Sequence, residues 1–327
     1  MRRWSKGSLF QATISDSDVA AVRRLVETER DTEFVRDRRA RNVALPAPKF
    51  SQKHFWHVLM GCLLTTQQRS TKGMPVNRFL DPQVFPLTLD ACGRQTSVEQ
   101  FVLKTIKEFH GIRRGITIAS QAAKNWKRLH GGKWQEVECW FERLRQPRAR
   151  EPRTGDKTLE RQAARWADEN LAGLGPKQSR NLWQWLGLSR FEIPLDSRVT
   201  DWLNDNLSFT IEAKRLVQLP YYEAVLDHVQ GICERASVLP CVLDASAFDY
   251  EDQGRGRRTS RGTTQIGFVN PHGQVTVRNT GAPGSDHLQY VYLLACSHCG
   301  HIYGANGSDI HERKCPACQG DRPGLPL

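Results

Sequence analysis

Leu171-Ala172-Gly173-Leu174-Gly175-Pro176-Lys177 lies between two stretches of helical periodicity. Two glycines one residue apart permit a tight turn whose backbone can lie close to another surface. Pro176 suits the first position of the following helix, where its missing N–H would be unpaired anyway. The start of that helix points N–H groups and a positive dipole end outward, which suits a phosphate. The stretch therefore reads as a helix–tight turn–helix unit able to hold a DNA backbone.

Outward from this turn, helical patterns cover 159–170 before it and 196–206 after it, with a break at 191–195. Further upstream, 52–67 reads as a helix because Phe55, Leu59, Cys62 and Leu63 fall at i, i+4, i+7 and i+8. Amphipathic helices are expected at 98–109 and 120–129, and a charged one at 18–30. Residues 75–95, with Pro75, Pro82 and Pro86, read as a loop. Residues 143–158, with Pro147, Pro152, Gly155 and five Arg, read as a basic loop that either tracks DNA backbone or is simply solvated. No period of two occurs before residue 240, so residues 1–249 are expected to form an all-α domain. The Gly/Arg-rich stretch 250–262 reads as a linker. Beyond it the period changes: strands are expected at 264–269 and 274–278, joined by the turn Asn270-Pro271-His272-Gly273, and at 289–294. The fold class is mainly α with a small β-rich C-terminal domain over 263–327.

Composition supports a polyanionic partner. The chain of 327 residues carries a formal charge of +12, and its pI is about 9.5. Double-stranded DNA is the expected ligand. Hydrophobic residues at 39%, with nine Trp and thirteen Phe, suffice for a real core. No run of 18 apolar residues suggests a membrane span, and the basic N-terminus lacks the apolar region of a secretory signal. An intracellular, cytoplasmic monomer is expected, nucleoid-associated in a bacterium.

Lys177 sits one residue inside the helix after the turn. It could simply contact a phosphate, or its neutral amine could attack a sugar carbon and form a Schiff base. That chemistry needs a carboxylate to stabilise positive charge on the sugar as the base leaves. Asp196, in Pro194-Leu195-Asp196-Ser197-Arg198-Val199, is the candidate. It could equally be an ordinary helix N-cap, and a cap can also hold an acid in place.

Together, residues 170–203, NLAGLGPKQSRNLWQWLGLSRFEIPLDSRVTDWL, resemble the helix-hairpin-helix and Gly/Pro–Asp region of the HhH-GPD DNA glycosylases, which include endonuclease III and the 8-oxoguanine glycosylases. Leu63-Leu64-Thr65-Thr66-Gln67 is similar to an upstream element of the family, and HGIRRGITIASQAAKNW to its linking helix. The resemblance covers roughly residues 50–240. It implies two helical lobes, a nucleophile at Lys177, an essential acid at Asp196, and Gln67 filling the gap left by a flipped base. It also implies DNA contacts from Gly173, Gly175, Pro176 and Arg180, and a monovalent cation on the hairpin carbonyls. No iron–sulfur cluster is expected, since only Cys233 and Cys241 fall where some members carry four cysteines. Trp56, His57, Trp183 and Trp202 are aromatic candidates for stacking on a base, each with a core role as its plainer reading.

Cys296-Ser297-His298-Cys299 and Cys315-Pro316-Ala317-Cys318 form two CxxC knuckles whose spacing fits a zinc site. Four thiolates close a tetrahedral, structural Zn²⁺ site, and a segment this small needs such a staple. The stretch resembles appended zinc ribbons, which could grip flanking DNA or recruit a protein partner. The nearby His298, His301 and His311 are not needed as ligands. The chain as a whole reads as a DNA glycosylase/AP lyase acting in base excision repair or against modified foreign DNA. A DNA-binding module without catalysis, and a glycosylase without the lyase step, stay open.

Overall fold

The structure, a computed structural model, describes residues 10–44, 47–68, 73–148, 156–253, 263–285 and 290–326. It comprises two compact units, Met1–Gln253 and Gly254–Leu327. The first is helical and the second carries the sheet.

The helical unit has two apolar cores. One is built from α3 (Gln52–Leu64), α4 (Pro75–Phe79), α5 (Leu89–Gly93), α6 (Val98–Phe109), α7 (Gly115–Arg128), α8 (Trp134–Arg148), α9 (Lys157–Asn170) and α10 (Pro176–Trp185). The other joins α1 (Asp16–Glu29) and α2 (Glu33–Asn42) to α11 (Ser197–Asn206), α12 (Leu219–Ala236) and α13 (Pro240–Asp252). Side-chain caps open many of these helices: Ser15, Thr32, Ser51, Thr88, Ser97, Asp156 and Asp196 each accept a first-turn amide. Each such cap satisfies a donor with no partner inside the helix. Helix α3 is almost entirely buried, and at Gly61 an added Cβ would lie 2.7 Å from the Trp185 ring. That glycine lets α3 and α10 approach closely.

Two expected loops are partly helical. Within 75–95, Pro75 starts α4 and Thr88 caps α5; proline opens a helix as readily as it ends one. Helix α8 runs to Arg148 through Pro147, so the expected basic loop begins later than 143. Its centre, 149–155, lies outside the described residues. Helix α7 begins at Gly115, five residues before expected, and joins α8 through a π-type turn where Gly132 has φ +111°. Helix α13 reaches Asp252, so residues 250–252 belong to a helix and the remaining expected linker, 254–262, lies outside the described residues.

The C-terminal unit contains an antiparallel sheet in the order β1 (Gln274–Pro283), β2 (Tyr290–Cys296), β3 (Ile302–Asn306). The expected strand at 264–269 is instead turns ending in a single bridge, Val269 to Val275. The reason lies in Asn270. Its buried side chain accepts from the His272 and Gln274 amides and donates to the Ile310 and Arg313 carbonyls. The turn is thus tied across to the second knuckle, and its pairing is short and irregular, with the Gly267 amide donating to the Thr276 carbonyl at 2.7 Å and the Thr276 amide to the Phe268 carbonyl at 2.8 Å. Strand β3 had no clear alternation in sequence and was not expected.

Candidate functional site

Helix α7 shapes the hairpin between α9 and α10. Asn125, wholly buried, accepts from the Ala172 amide at 2.6 Å and donates to the Ala172 carbonyl at 2.9 Å. Arg128 donates to the Asn170 carbonyl at 2.9 Å. Leu171 and Leu174 are buried, and Gly173 turns the chain with φ +85°. Gly175 is the N-cap of α10, with no side chain to cap the first turn, and Pro176 stands at its start as expected. The first-turn amides are therefore left to an outside acceptor.

Lys177 is half-buried in that first turn and acts on Cys62 of α3. Burial pushes the Cys62 thiol up to about 12, against the pull of the Lys177 charge and a hydrogen bond from Asn181. Beside it, Gln178 donates to the Thr66 hydroxyl at 3.1 Å and accepts from Asn181 at 3.0 Å. The end of α3 and the start of α10 are stitched together by these contacts.

Gln67 follows that stitched end. It is exposed and holds φ 57°, a left-handed conformation uncommon for a residue with a side chain. Arg113 donates to its carbonyl at 3.0 Å, the Arg113 amide donates to Gln68 at 2.9 Å, and Arg114 donates to the Thr66 carbonyl at 3.3 Å. The clamping loop is itself unusual, with His110 at φ 58°, Gly111 at φ 77° and Arg114 at φ 62°. Such left-handed positions cost free energy and gather at functional surfaces. Arg113 and Arg114 escaped the sequence reading because only the three-dimensional clamp singles them out.

Asp196 is the N-cap of α11. Its Oδ1 accepts from the Val199 amide at 3.0 Å, and its Oδ2 lies 3.8 Å from the Arg198 guanidinium. Arg198 is shared, reaching Asp252 at 3.2 Å and stacking over Phe248 at 4.3 Å. One oxygen therefore serves the cap and the other is only loosely engaged.

Arg180 departs from expectation. Placed by the sequence among the DNA contacts, it is wholly buried, with its guanidinium held by Glu192 at 2.8 Å and by the Pro176 carbonyl at 2.9 Å. A side chain so enclosed cannot meet a phosphate. Its position one turn after Lys177 suggested the surface, but the α10 face it shares with Trp183 and Gln184 points inward. The aromatic candidates follow their plainer reading. Trp56 and Trp183 are buried and donate to the Leu87 and Ala163 carbonyls, both at 2.9 Å, and Trp202 is buried in the second core. His57 is half-buried, edge-on to Phe85 at 4.6 Å.

In the C-terminal unit the four cysteine sulfurs lie within 4.8 Å of one another. Cys296 and Cys318 are 3.6 Å apart, as are Cys299 and Cys315. Sulfurs set tetrahedrally around zinc at ~2.3 Å would be separated by ~3.8 Å, so the donor set fits that ion in number, type and spacing. Burial disfavours a Cys296 thiolate, but hydrogen bonds from the Cys299 and His298 amides, Cys318 and Gln274 outweigh it and bring the thiol down to about 5. Gln274 also donates to Gln319 at 3.0 Å, and Gln319 accepts from the Cys315 amide at 2.7 Å, so one chain of side-chain amides joins both knuckles. His301 stacks on Tyr303, and His311 sits 3.2 Å from Glu312.

No protein-family profile matches the sequence, and no curated protein is similar to it. Among solved structures, the 8-oxoguanine glycosylase/lyase of Methanocaldococcus jannaschii, in complex with a 15mer DNA containing 8-oxoguanine, superposes with a TM-score of 0.47 at 15% identity. The match covers 71% of this chain and 97% of that chain.

Proposed function

We propose that the helical unit is a DNA glycosylase with AP lyase activity, with Lys177 as nucleophile and Asp196 as the assisting acid. The observation that carries this reading is the first turn of α10. An uncapped helix start, opened by Gly175 and Pro176, presents Lys177 beside amides that have no side-chain acceptor. Asp196 keeps one carboxylate oxygen outside its cap bond.

A base within the duplex is flipped out, at a cost of a few kcal/mol. The unprotonated Lys177 amine attacks C1′ while the bond from C1′ to the base nitrogen breaks. The base leaves with that electron pair and takes up a proton. The Asp196 carboxylate stabilises the positive charge that develops on the sugar. Ring opening gives the Lys177 imine. Loss of a C2′ proton then expels the 3′ phosphate and nicks the strand. Gln67, whose carbonyl accepts from Arg113, would occupy the vacated position. The hairpin carbonyls would hold a monovalent cation in the same reading, and the four cysteines a structural Zn²⁺. The DNA is held electrostatically, so binding weakens with salt.

The test is borohydride trapping on duplexes carrying an abasic site, 8-oxoguanine, uracil, thymine glycol or hydroxymethylcytosine. A covalent adduct is expected with the wild type and none with Lys177→Gln, which should still bind DNA. An adduct retained by Lys177→Gln would remove the lysine from its role. Tight binding by the wild type without any adduct at the abasic site would leave a glycosylase lacking the lyase step or a DNA-binding module.

A further inference from the structure

Residues 186–195, between α10 and α11, are buried along their whole length although they form no helix or strand. A buried irregular segment must find partners for its backbone polar groups. Glu160 of α9 supplies several: its carboxylate accepts from the amides of Arg190 at 3.0 Å, Phe191 at 2.8 Å and Glu192 at 2.9 Å, and from the Ser189 hydroxyl at 2.7 Å. Gln230 of α12 donates to the Phe191 carbonyl at 2.9 Å. The last residues before Asp196 are held by Tyr222 of α12, whose hydroxyl accepts from the Leu195 amide at 2.7 Å and donates to the Ile193 carbonyl at 3.0 Å.

Arg180 connects this loop to the lysine helix. It donates to the Pro176 carbonyl, one residue from Lys177, and to Glu192 in the loop. Its guanidinium also lies over the Tyr222 ring at 4.5 Å. The other Glu192 oxygen is held by Arg161 at 2.8 Å. A buried series of contacts thus runs from Pro176 through Arg180 and Tyr222 to Leu195, the neighbour of Asp196. Packing alone does not demand it, since well-packed apolar side chains stabilise a core as well as a buried ion network does.

We infer that Arg180 and Tyr222 are positioning residues that fix the placement of Lys177 relative to Asp196. The inference rests on the proposed glycosylase/lyase reading and adds to it the two residues that hold its catalytic pair in register. Displacement of reacting groups by about 1 Å can cost on the order of 100-fold in rate, and such placement depends on locked supporting side chains.

Tyr222→Phe is the sharpest variant, because it removes only the hydroxyl and keeps the ring beneath Arg180. Single-turnover formation of the borohydride-trapped adduct at an abasic site, DNA affinity and the thermal midpoint are measured on the full chain. The adduct is expected to form about tenfold more slowly or worse, with DNA affinity unchanged. Arg180→Met, which fills the space without the donors, should slow it further, and Arg180→Lys should not restore it, because an ammonium lacks the planar fork that meets Pro176 and Glu192 through separate nitrogens while lying over the Tyr222 ring. An adduct rate unchanged in Tyr222→Phe, with only the midpoint lowered, would overturn the inference alone. Absence of the adduct already in the wild type would overturn the inference together with the reading beneath it.

Discussion

Lys177 and Asp196 belong to successive helices and are backed by side chains from α9, α10 and α12, whereas the four cysteines come as two pairs, each on its own short knuckle. The helical unit surrounds its site with two extensive apolar cores. The C-terminal unit has a small one, formed by Leu294, Tyr303, Ala305 and Ile310 with Phe268 and Tyr292 packed against it. The contrast teaches where each unit draws its stability. In the first, packing sets the frame and a buried polar network adjusts it. In the second, few apolar side chains are buried among the described residues, and a metal on the four cysteines would close the fold.

The largest effect expected from this contrast follows removal of the proposed zinc. Cys299→Ser, or treatment of the full chain with a chelator, should cost the C-terminal unit its fold. Structural zinc sites of this kind are worth on the order of 10 kcal/mol. Metal analysis should give one zinc per chain in the wild type and none in the variant. Limited proteolysis should then cut within 263–326 while the helical circular dichroism persists. A C-terminal unit that resists protease without metal would show that its small core suffices.

The next effect is smaller and belongs to the helical unit. Glu160→Gln replaces an acceptor of four hydrogen bonds with an amide whose NH₂ must face donors, at a cost of roughly 3–5 kcal/mol in urea unfolding. It also has a pH signature. Burial pushes the Glu160 carboxyl up from 4.5 to about 7, opposed by hydrogen bonds from the Glu192 amide, the Ser189 hydroxyl and the Arg190 and Phe191 amides. Between those values the folded chain keeps a proton that the unfolded chain has lost, so the Glu160 contribution to stability falls as pH rises from 4.5 to about 7. Glu160→Gln has nothing to titrate there and should lack that part of the slope. Identical slopes in the two proteins would assign the pH dependence to other groups.

Much of this architecture could be read from the sequence because it is local. The hairpin was legible from two glycines and a proline, the Asp196 cap from residue type and position, and the cysteine site from the spacing of two knuckles. The start of α6 and the break before α11 followed from periodicity. What escaped is non-local. Nothing near Arg180 in sequence reveals that Glu192 and Tyr222 enclose it, so a basic residue just after the hairpin was read as a DNA contact. Glu160 stands in the first turn of an expected helix without any local mark of its role, yet it serves a loop some thirty residues away. At 264–269 side-chain ties such as those of Asn270 accompany the loss of a regular strand despite the alternation, whereas β3 has no clear alternation to read.

The smallest effect separates the two hairpin glycines, which the sequence presents as a pair. At Gly173, φ is +85° and an added Cβ would lie 2.4 Å from the Gln121 side chain. Gly173→Ala should therefore destabilise the helical unit by about 1–3 kcal/mol, read in urea unfolding. Gly175 has an ordinary φ of −116° and nothing within 4 Å of an added Cβ. Gly175→Ala should cost no more than ~1 kcal/mol, the usual penalty for alanine at an N-cap. Among the described residues no contact accounts for the missing side chain at Gly175, whereas in the proposed function close approach of a phosphate to the first-turn amides would. Gly175→Ala is accordingly expected to weaken duplex binding by more than its loss of stability, measured by titration at fixed salt. Equal affinity in wild type and Gly175→Ala would show that the turn stands clear of the DNA backbone, and the hairpin would then be a spacer between α9 and α10 that carries Lys177 without gripping the strand itself.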